Sequence, residues 1–258
     1  MKSSAQRALQ TPGVPRISAR NTHYRELNRV LRQAVLEGAR EVELRDVFGQ
    51  RYLGTNIRRP VRFTVLGTPG NDLGAFMDGP VIEVFGNAQD GVGNTMNSGE
   101  IVIHGSAGDV LAMSMRGGSI FVKGNVGYRC AIHMKQYADR QPLVVIGGTA
   151  QDFFGEYMAG GTVILFGLGL PPGERHGMNF VGTGMHAGRI FLRGSVSEEH
   201  LGKEVGVAEP DASDREVIEQ AVRRYCAHFG ADAKEILSGT FTKLYPRYLR
   251  PYGQLYAY

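Results

Sequence analysis

Short apolar segments recur along the chain at a nearly constant spacing, and most of them end in glycine. Residues 61–67 (VRFTVLG) are typical, because the segment is rich in β-branched residues and closes with glycine. Seven such segments end at Gly67, Gly86, Gly105, Gly124, Gly147, Gly167 and Gly194, which are 19, 19, 19, 23, 20 and 27 residues apart. Residues 41–44 fit one further period upstream, so the pattern predicts eight strands.

Methionine repeats with the same period in a second register. Six of the nine methionines lie a few residues before the next predicted strand. They are Met77, Met96, Met115, Met134, Met158 and Met185. A path of thioethers for a soft metal is one interpretation. We favour interior packing, because a flexible methionine fills irregular gaps between apolar neighbours.

A period of 19 residues restricts the architecture. It is too short for the crossover helices of an open α/β sheet. An up-and-down barrel would turn every 8–12 residues and would not keep one residue type in register. The pattern therefore predicts a single-stranded right-handed parallel β-helix of about 7–8 rungs, stacked about 4.8 Å apart. Glycines would occupy its corners, where φ is positive or stacked backbones approach closely.

The two longer periods predict loop insertions on one side of the coil, one of them at residues 171–176. Beyond the coils, residues 22–38 have helical spacing and could cover the first rung. Residues 213–216 predict a helical capping box, and aromatic and arginine residues follow Phe241. That tail could dock on another protein or pack on its own rod. The predicted organisation is a flexible N-terminal arm (1–20), a capping helix (21–40), the β-helix (41–200), and C-terminal helices with a docking tail (201–258).

Composition and charge narrow the possible partners. The net charge is only +4, and the basic residues are scattered, with Arg58–Arg59 as the nearest cluster in a solvated turn. This disfavours nucleic-acid binding and leaves an acidic partner surface possible. Two distant cysteines, Cys130 and Cys226, suit a reducing cytoplasm and cannot ligate an iron–sulfur cluster. Neither a membrane-spanning run nor a signal peptide is evident, so we expect a cytoplasmic protein.

Candidate chemistry is sparse. The seven histidines form no HExxH or similar ligand spacing, and no GxSxG elbow occurs. His104 and His133 are expected on rung strands, while His176 and His186 flank the longest insertion and are the candidate surface-site residues. The glycine pairs at 91–93 and 182–184 are followed by another strand rather than a helix, which disfavours a nucleotide loop. The sequence therefore predicts no catalytic residue, cofactor site or metal site on this chain.

The repeat resembles the GXGXG domain, the β-helix near the C-terminus of the glutamate synthase large chain. The resemblance runs from about Arg62 to Gly194 and is carried by residues 74–79, 86–93, 117–124 and 155–163. A related domain forms the β-helical subunit of formylmethanofuran dehydrogenases. Residues 228–237 and 241–248 are similar to the close of the glutamate synthase large chain, which favours that branch.

The chain is similar to one domain of that enzyme and lacks the others. It has no N-terminal cysteine glutaminase and no FMN barrel. The resemblance therefore implies a stand-alone, non-catalytic scaffold subunit, as in split glutamate synthase-like or N-methylglutamate synthase systems. A glutaminase-type subunit and a synthase subunit carrying FMN and an iron–sulfur cluster would be its partners in a hetero-oligomer, and the rod would help wall the ammonia route. The alternatives are the β-helical subunit of a formylmethanofuran dehydrogenase-type complex and a β-helix acyltransferase. The amino-acid product, electron donor and stoichiometry are left open.

Overall fold

A computed structural model describes residues 14–171 and 173–248. Within them the chain forms one sheet and three α-helices. The strands are β1 (Arg16–Ser18), β2 (Glu41–Phe48), β3 (Arg62–Thr68), β4 (Asp78–Phe85), β5 (Ser98–Ile103), β6 (Ser119–Val122), β7 (Leu143–Ile146), β8 (Ala159–Leu165), β9 (Ala187–Arg193), β10 (Val205–Ala208) and β11 (Phe241–Pro246). The helices are α1 (Tyr24–Leu36), α2 (Ala212–Phe229) and α3 (Ala233–Leu237).

The strands stack in chain order from β1 to β9, and every one of these pairs is parallel. The predicted parallel β-helix is therefore confirmed. The eight predicted strands are β2 to β9, which at about 4.8 Å each span roughly 34 Å. Register follows the repeat directly: Ile82 pairs with Ile101, and Ile101 pairs with Ile120.

Apolar residues fill the space inside the coils. Strand residues alternate in direction, so Ile101 and Ile103 belong to the interior cluster while Val102 belongs to a second cluster on the outer face of the sheet. All six repeating methionines are at most 1% exposed. They sit where the chain enters the next strand, inside the rod.

Each end of the rod is covered by its own chain. At the first end, α1 buries Leu27, Leu31 and Val35, and the short strand β1 pairs with β2. Residues 16–18 of the predicted arm are thus part of the sheet, and residues 1–13 lie outside the described part. At the far end β11 runs antiparallel to β9 and carries β10 on its other side. The beginning of the predicted tail therefore packs on the rod, while residues 249–258 lie outside the described part.

Helix α2 lies along the outer face of the sheet and forms the second apolar cluster. Its residues Ile218, Val222 and Tyr225 are buried with Phe121 and other outward residues of β5 to β9. The predicted capping box is misplaced by two residues: Asp211 caps the helix, and its partner in the box is Asp214. The helix ends at Gly230, as its left-handed conformation (φ 69°) requires.

Two local expectations are wrong. The insertions do not share one side, because the first precedes β7 and the second, at residues 168–177, follows β8. His133 does not belong to a strand, because it lies in a turn with a positive φ. His104 directly follows β5, and its amide extends the ladder to Val84.

Candidate functional site

The predicted corner glycines have two different structural reasons. Gly67, Gly86, Gly167 and Gly194 have positive φ angles, whereas the remaining three (Gly105, Gly124 and Gly147) do not. At Gly147 the reason is close approach, because an added Cβ would lie 1.9 Å from the Tyr225 hydroxyl and 2.3 Å from the Lys123 carbonyl oxygen. The corner thus fixes how closely α2 approaches the sheet.

Opposite the strands, each rung crosses the rod in a turn with an unusual alternation of backbone conformation. The residues five, three and one before each repeating methionine, and before Ile57 in the first rung, all have positive φ. We call these stacked turns the turn ladder. Its first column is Tyr52, Asp72, Gly91, Val110, Arg129, Phe153 and Phe180; its middle column is Gly54, Gly74, Gly93, Ala112, Ala131, Gly155 and Gly182; its third column is Asn56, Phe76, Thr95, Ser114, His133, Tyr157 and Gly184.

Backbone hydrogen bonds join consecutive turns in both directions. The amides of Asp72 and Phe76 donate to carbonyls of the next rung, and the amide of Gly74 donates to Leu53 of the previous one. The middle column points inward, since a Cβ on Gly93 would lie 2.4 Å from Ile120 Cδ1. Only glycine or alanine occupies that column, and the two outer columns are left to face the surface.

Flat side chains stack along both outer columns at the far half of the rod. In the first column the rings of Phe153 and Phe180 are 4.9 Å apart and nearly parallel, and the Arg129 guanidinium lies 4.4 Å from the Phe153 ring. In the third column His133 and Tyr157 stack at 5.3 Å. Phe180 and Tyr157 remain 54% and 46% exposed, so this surface is aromatic and open.

A buried carboxylate lies between these two columns. Glu156 is 7% exposed and forms an ion pair with Arg129. Its carbonyl oxygen accepts the His133 amide at 3.0 Å. The Glu156 carboxylate is buried while Arg129 stays partly exposed, so this charge-assisted pair anchors one end of the guanidinium that lies 4.4 Å from the Phe153 ring. The ion pair thus ties the first column to the rung that carries Tyr157.

The two candidate histidines are not brought together. His176 is 3% exposed, and its Nε2 lies 3.0 Å from the Arg193 carbonyl oxygen at the end of β9. Burial lowers the pKa of His176, so the imidazole is neutral and donates through Nε2. His186 lies before the start of β9, with Nδ1 3.3 Å from the Gly184 carbonyl oxygen. The two rings lie at opposite ends of the seven-residue strand β9, so they form no joint site. His176 instead anchors the insertion to the rod.

A polar network closes one edge of the α2 contact. Arg224 donates to Glu100 and to the Ser119 hydroxyl at 2.6 Å each, across more than one hundred residues of sequence. His228 lies 3.4 Å from the other oxygen of Glu100 and packs against Phe121. Each of these polar groups has its hydrogen-bond or ion-pair partner within the network. The network therefore serves to position α2 on the sheet.

At the other edge, Asp214 is fully buried. It accepts from Arg189 at 2.9 Å and from Lys243 at 2.6 Å, which ties α2 to β9 and β11. Cys130 is also fully buried, and burial raises the pKa of its thiol. Within residues 14–171 and 173–248 no three histidine, cysteine or acidic side chains are grouped as metal ligands. Nor is any helix of the described part long and apolar enough to cross a membrane.

Comparison with known proteins identifies the family of this chain. The GXGXG motif family matches residues 35–252, which include the whole turn ladder. This chain belongs to the GXGXG motif family. It is 45% identical over 249 residues to an uncharacterized protein of Methanocaldococcus jannaschii, covering 93% of this GXGXG chain and 95% of the relative. The similarity therefore extends over nearly the full length of both chains.

The turn ladder is the part of this GXGXG protein that the strand pattern did not predict. Its sequence signal is the glycine or alanine three residues before each repeating methionine. The strings at 91–93 and 182–184 are two copies of that signal, and both lie in the ladder. The exposed stacks carry no such signal, because the residues of the outer columns differ from rung to rung.

Proposed function

We propose that this GXGXG protein is a non-catalytic scaffold and coupling subunit of a glutamate synthase-type complex. The observation that carries the proposal is the family match over residues 35–252, in a chain whose described residues form the rod and its two caps. The partners would be a glutaminase-type amidotransferase subunit and a synthase subunit with FMN and an iron–sulfur cluster. Those groups would reside on the partners.

The rod supplies what such a role needs mechanically. Each coil is hydrogen-bonded to its neighbours on the strand side and on the turn ladder, so bending the rod breaks both sets of bonds. A stiff body of this kind holds two catalytic subunits at a fixed separation. Ammonia released by one subunit can then reach the other without loss to solvent, with the rod as part of the wall.

The exposed stacks on the turn ladder support an interface. Aromatic and arginine side chains are enriched at protein contacts, where they bury large areas with little loss of conformational freedom. Arg129, Phe153 and Phe180 have that chemistry and contact one another along the first column. In this proposal a catalytic subunit covers them.

Isolation of the assembly tests the proposal. The tagged full-length chain would be purified from the cells that produce it, after mild crosslinking. We expect co-purifying subunits with a flavin absorbance spectrum, bound iron, and glutamine-dependent formation of an amino acid. A chain that purifies alone, or with partners that contain molybdenum or tungsten, contradicts the proposal, and the second outcome favours the formylmethanofuran dehydrogenase-type alternative.

A further inference from the structure

The basic residues are not scattered evenly, as the sequence pattern suggests, but are concentrated at the first end of the rod. Residues 14–62, which form the first cap and the first rung, contain eleven arginines, no lysine and five acidic residues. Residues 63–248 contain fifteen basic and twenty acidic residues. The modest net charge of +4 therefore conceals a strongly basic end and a mildly acidic remainder.

Many of the cap arginines have no acidic partner in the part of the chain that the structure describes. Among the described residues, no carboxylate oxygen lies within 4.0 Å of six of the eleven. These are Arg25, Arg32, Arg40, Arg51, Arg58 and Arg59, and all six are exposed. Guanidinium groups left without carboxylates are available to another molecule at little desolvation cost to this chain.

The fold gathers five of them on one surface. Arg32 donates to the Thr55 carbonyl at 2.8 Å, and Asn28 of α1 donates to the Arg51 carbonyl at 2.9 Å. These bonds hold α1 against residues 51–59 of the first rung, which carry Arg58 and Arg59. We call Arg25, Arg32, Arg51, Arg58 and Arg59 with Tyr24 and Tyr52 the basic cap surface.

Aromatic rings lie among the charges of this surface. Tyr24 and Tyr52 are 5.7 Å apart, and the Arg25 guanidinium lies 5.9 Å from the Tyr24 ring. Tyr52 is 41% exposed. Tyrosine and arginine are the residues that most often dominate the energy of protein interfaces. The surface combines a net attraction for acidic groups with rings that a partner can cover.

We propose that the basic cap surface docks on an acidic surface of a partner protein. The inference deepens the proposed function by naming the chemistry of one contact, and it requires only that the chain works in an assembly. Charge complementarity favours a partner surface of negative charge and steers the approach of that partner. A second copy of this chain fits less well, because its acidic residues are spread over 186 positions while the basic excess is concentrated in 49.

The test uses the full-length chain and a defined probe, a fluorescent glutamate-rich peptide of about twelve residues, at about 50 mM salt, where exposed charges are weakly screened. The variant R25Q/R51Q/R58Q removes three charges from the basic cap surface. Its matched control, R175Q/R215Q/K234Q, removes three exposed charges without an ion pair elsewhere in the described part. We expect the cap variant to bind the peptide at least tenfold more weakly than the wild type and the control to stay within twofold.

Three results would overturn the inference. The first is equal weakening in both variants, or no peptide binding by the wild type. The second is tighter binding of a single-stranded oligonucleotide than of the peptide, lost in the cap variant, which would make the surface a nucleic-acid site. The third is self-association of the wild type in sedimentation, abolished by the cap variant. Isolation of a glutamate synthase-type complex alongside any of these would leave the proposed function standing.

Discussion

The hydroxyl of Tyr225 on α2 lies directly over Gly147 at the end of β7. It donates a hydrogen bond to the Lys123 carbonyl oxygen at 3.2 Å, one rung away. A Cβ on Gly147 would lie 1.9 Å from that hydroxyl oxygen. The helix can approach the sheet this closely only because one corner of one coil has no side chain.

Substitution of Gly147 therefore should loosen the α2 contact. We expect Gly147→Ala to lower the free energy of unfolding by about 1–3 kcal/mol, the usual cost of overpacking a buried site. Denaturant unfolding followed by circular dichroism measures the change. Gly169→Ala is the control, because no atom lies within 4 Å of its added Cβ. A Gly147→Ala chain as stable as the control would contradict the proposed contact.

Tyr225 should keep its proton at a pH where the phenol of an unfolded chain has lost it. Burial raises its pKa to about 12, whereas a tyrosine in the unfolded chain has a pKa near 10. The unfolded state thus loses this proton first, and the stabilisation present below about pH 10 is lost as pH rises toward 12. Absorbance near 295 nm should show a phenol that titrates at about pH 12 and is missing in Tyr225→Phe. Titration of that phenol near pH 10 would argue against a buried hydroxyl.

The stacked methionines should be part of the core. Met115 is fully buried, and Met115→Ala should cost about 2–5 kcal/mol through lost burial and a cavity. Met113, two residues earlier, lies only partly buried on the turn ladder. Met113→Ala should cost well under half as much in the same unfolding experiment. An equal decrease in the free energy of unfolding for both variants would show that burial inside the rod does not determine the contribution of a methionine to stability.

Asp214 should be essential for docking α2. Asp214→Ala removes the buried carboxylate that Arg189 and Lys243 share, which should cost about 1–3 kcal/mol, because both cations stay partly exposed and Lys243 keeps Asp211 at 3.6 Å. The exposed pair Glu219–Arg223 on the same helix gives the comparison, because Glu219→Ala should cost less than about 1 kcal/mol. Hydrogen exchange of α2 amides would localise the effect. If exchange accelerates only in the rod and not in α2, the assigned role of Asp214 is wrong.

His176 should remain neutral at a pH where ordinary histidines are protonated. Burial lowers its pKa below the usual value near 6.5, so the unfolded chain takes up a proton more readily. The stabilisation from the neutral ring is present above about pH 6.5 and is lost as pH falls through the lower, folded-state pKa. An NMR titration of the imidazole resonances should show the His176 ring taking up its proton only below the usual pKa near 6.5, and a His176 ring that protonates at or above that value would contradict its burial.

The sequence by itself determined the rod. Stacked coils place equivalent residues on top of one another, so a repeat in the sequence becomes a ladder in space, and both the strands and the six buried methionines follow from the 19-residue period. The small residues of the turn ladder repeat in the sequence with the same period. The alternating positive φ angles, however, depend on hydrogen bonds to the rungs on either side, and these bonds do not exist within a single rung.

Tertiary structure decided what lies on the rod. Arg224 meets Glu100 across 124 residues, and nothing in the local pattern of either segment specifies that pairing. Likewise, the basic cap surface is scattered along the sequence and becomes one surface only when α1 packs on the first rung. The periodic sequence determines a repeating backbone because each coil packs against neighbouring coils with equivalent residues. Each contact between the rod and a cap joins two different segments and occurs once in the molecule. No repeat in the sequence specifies such a contact, so its geometry arises from tertiary packing.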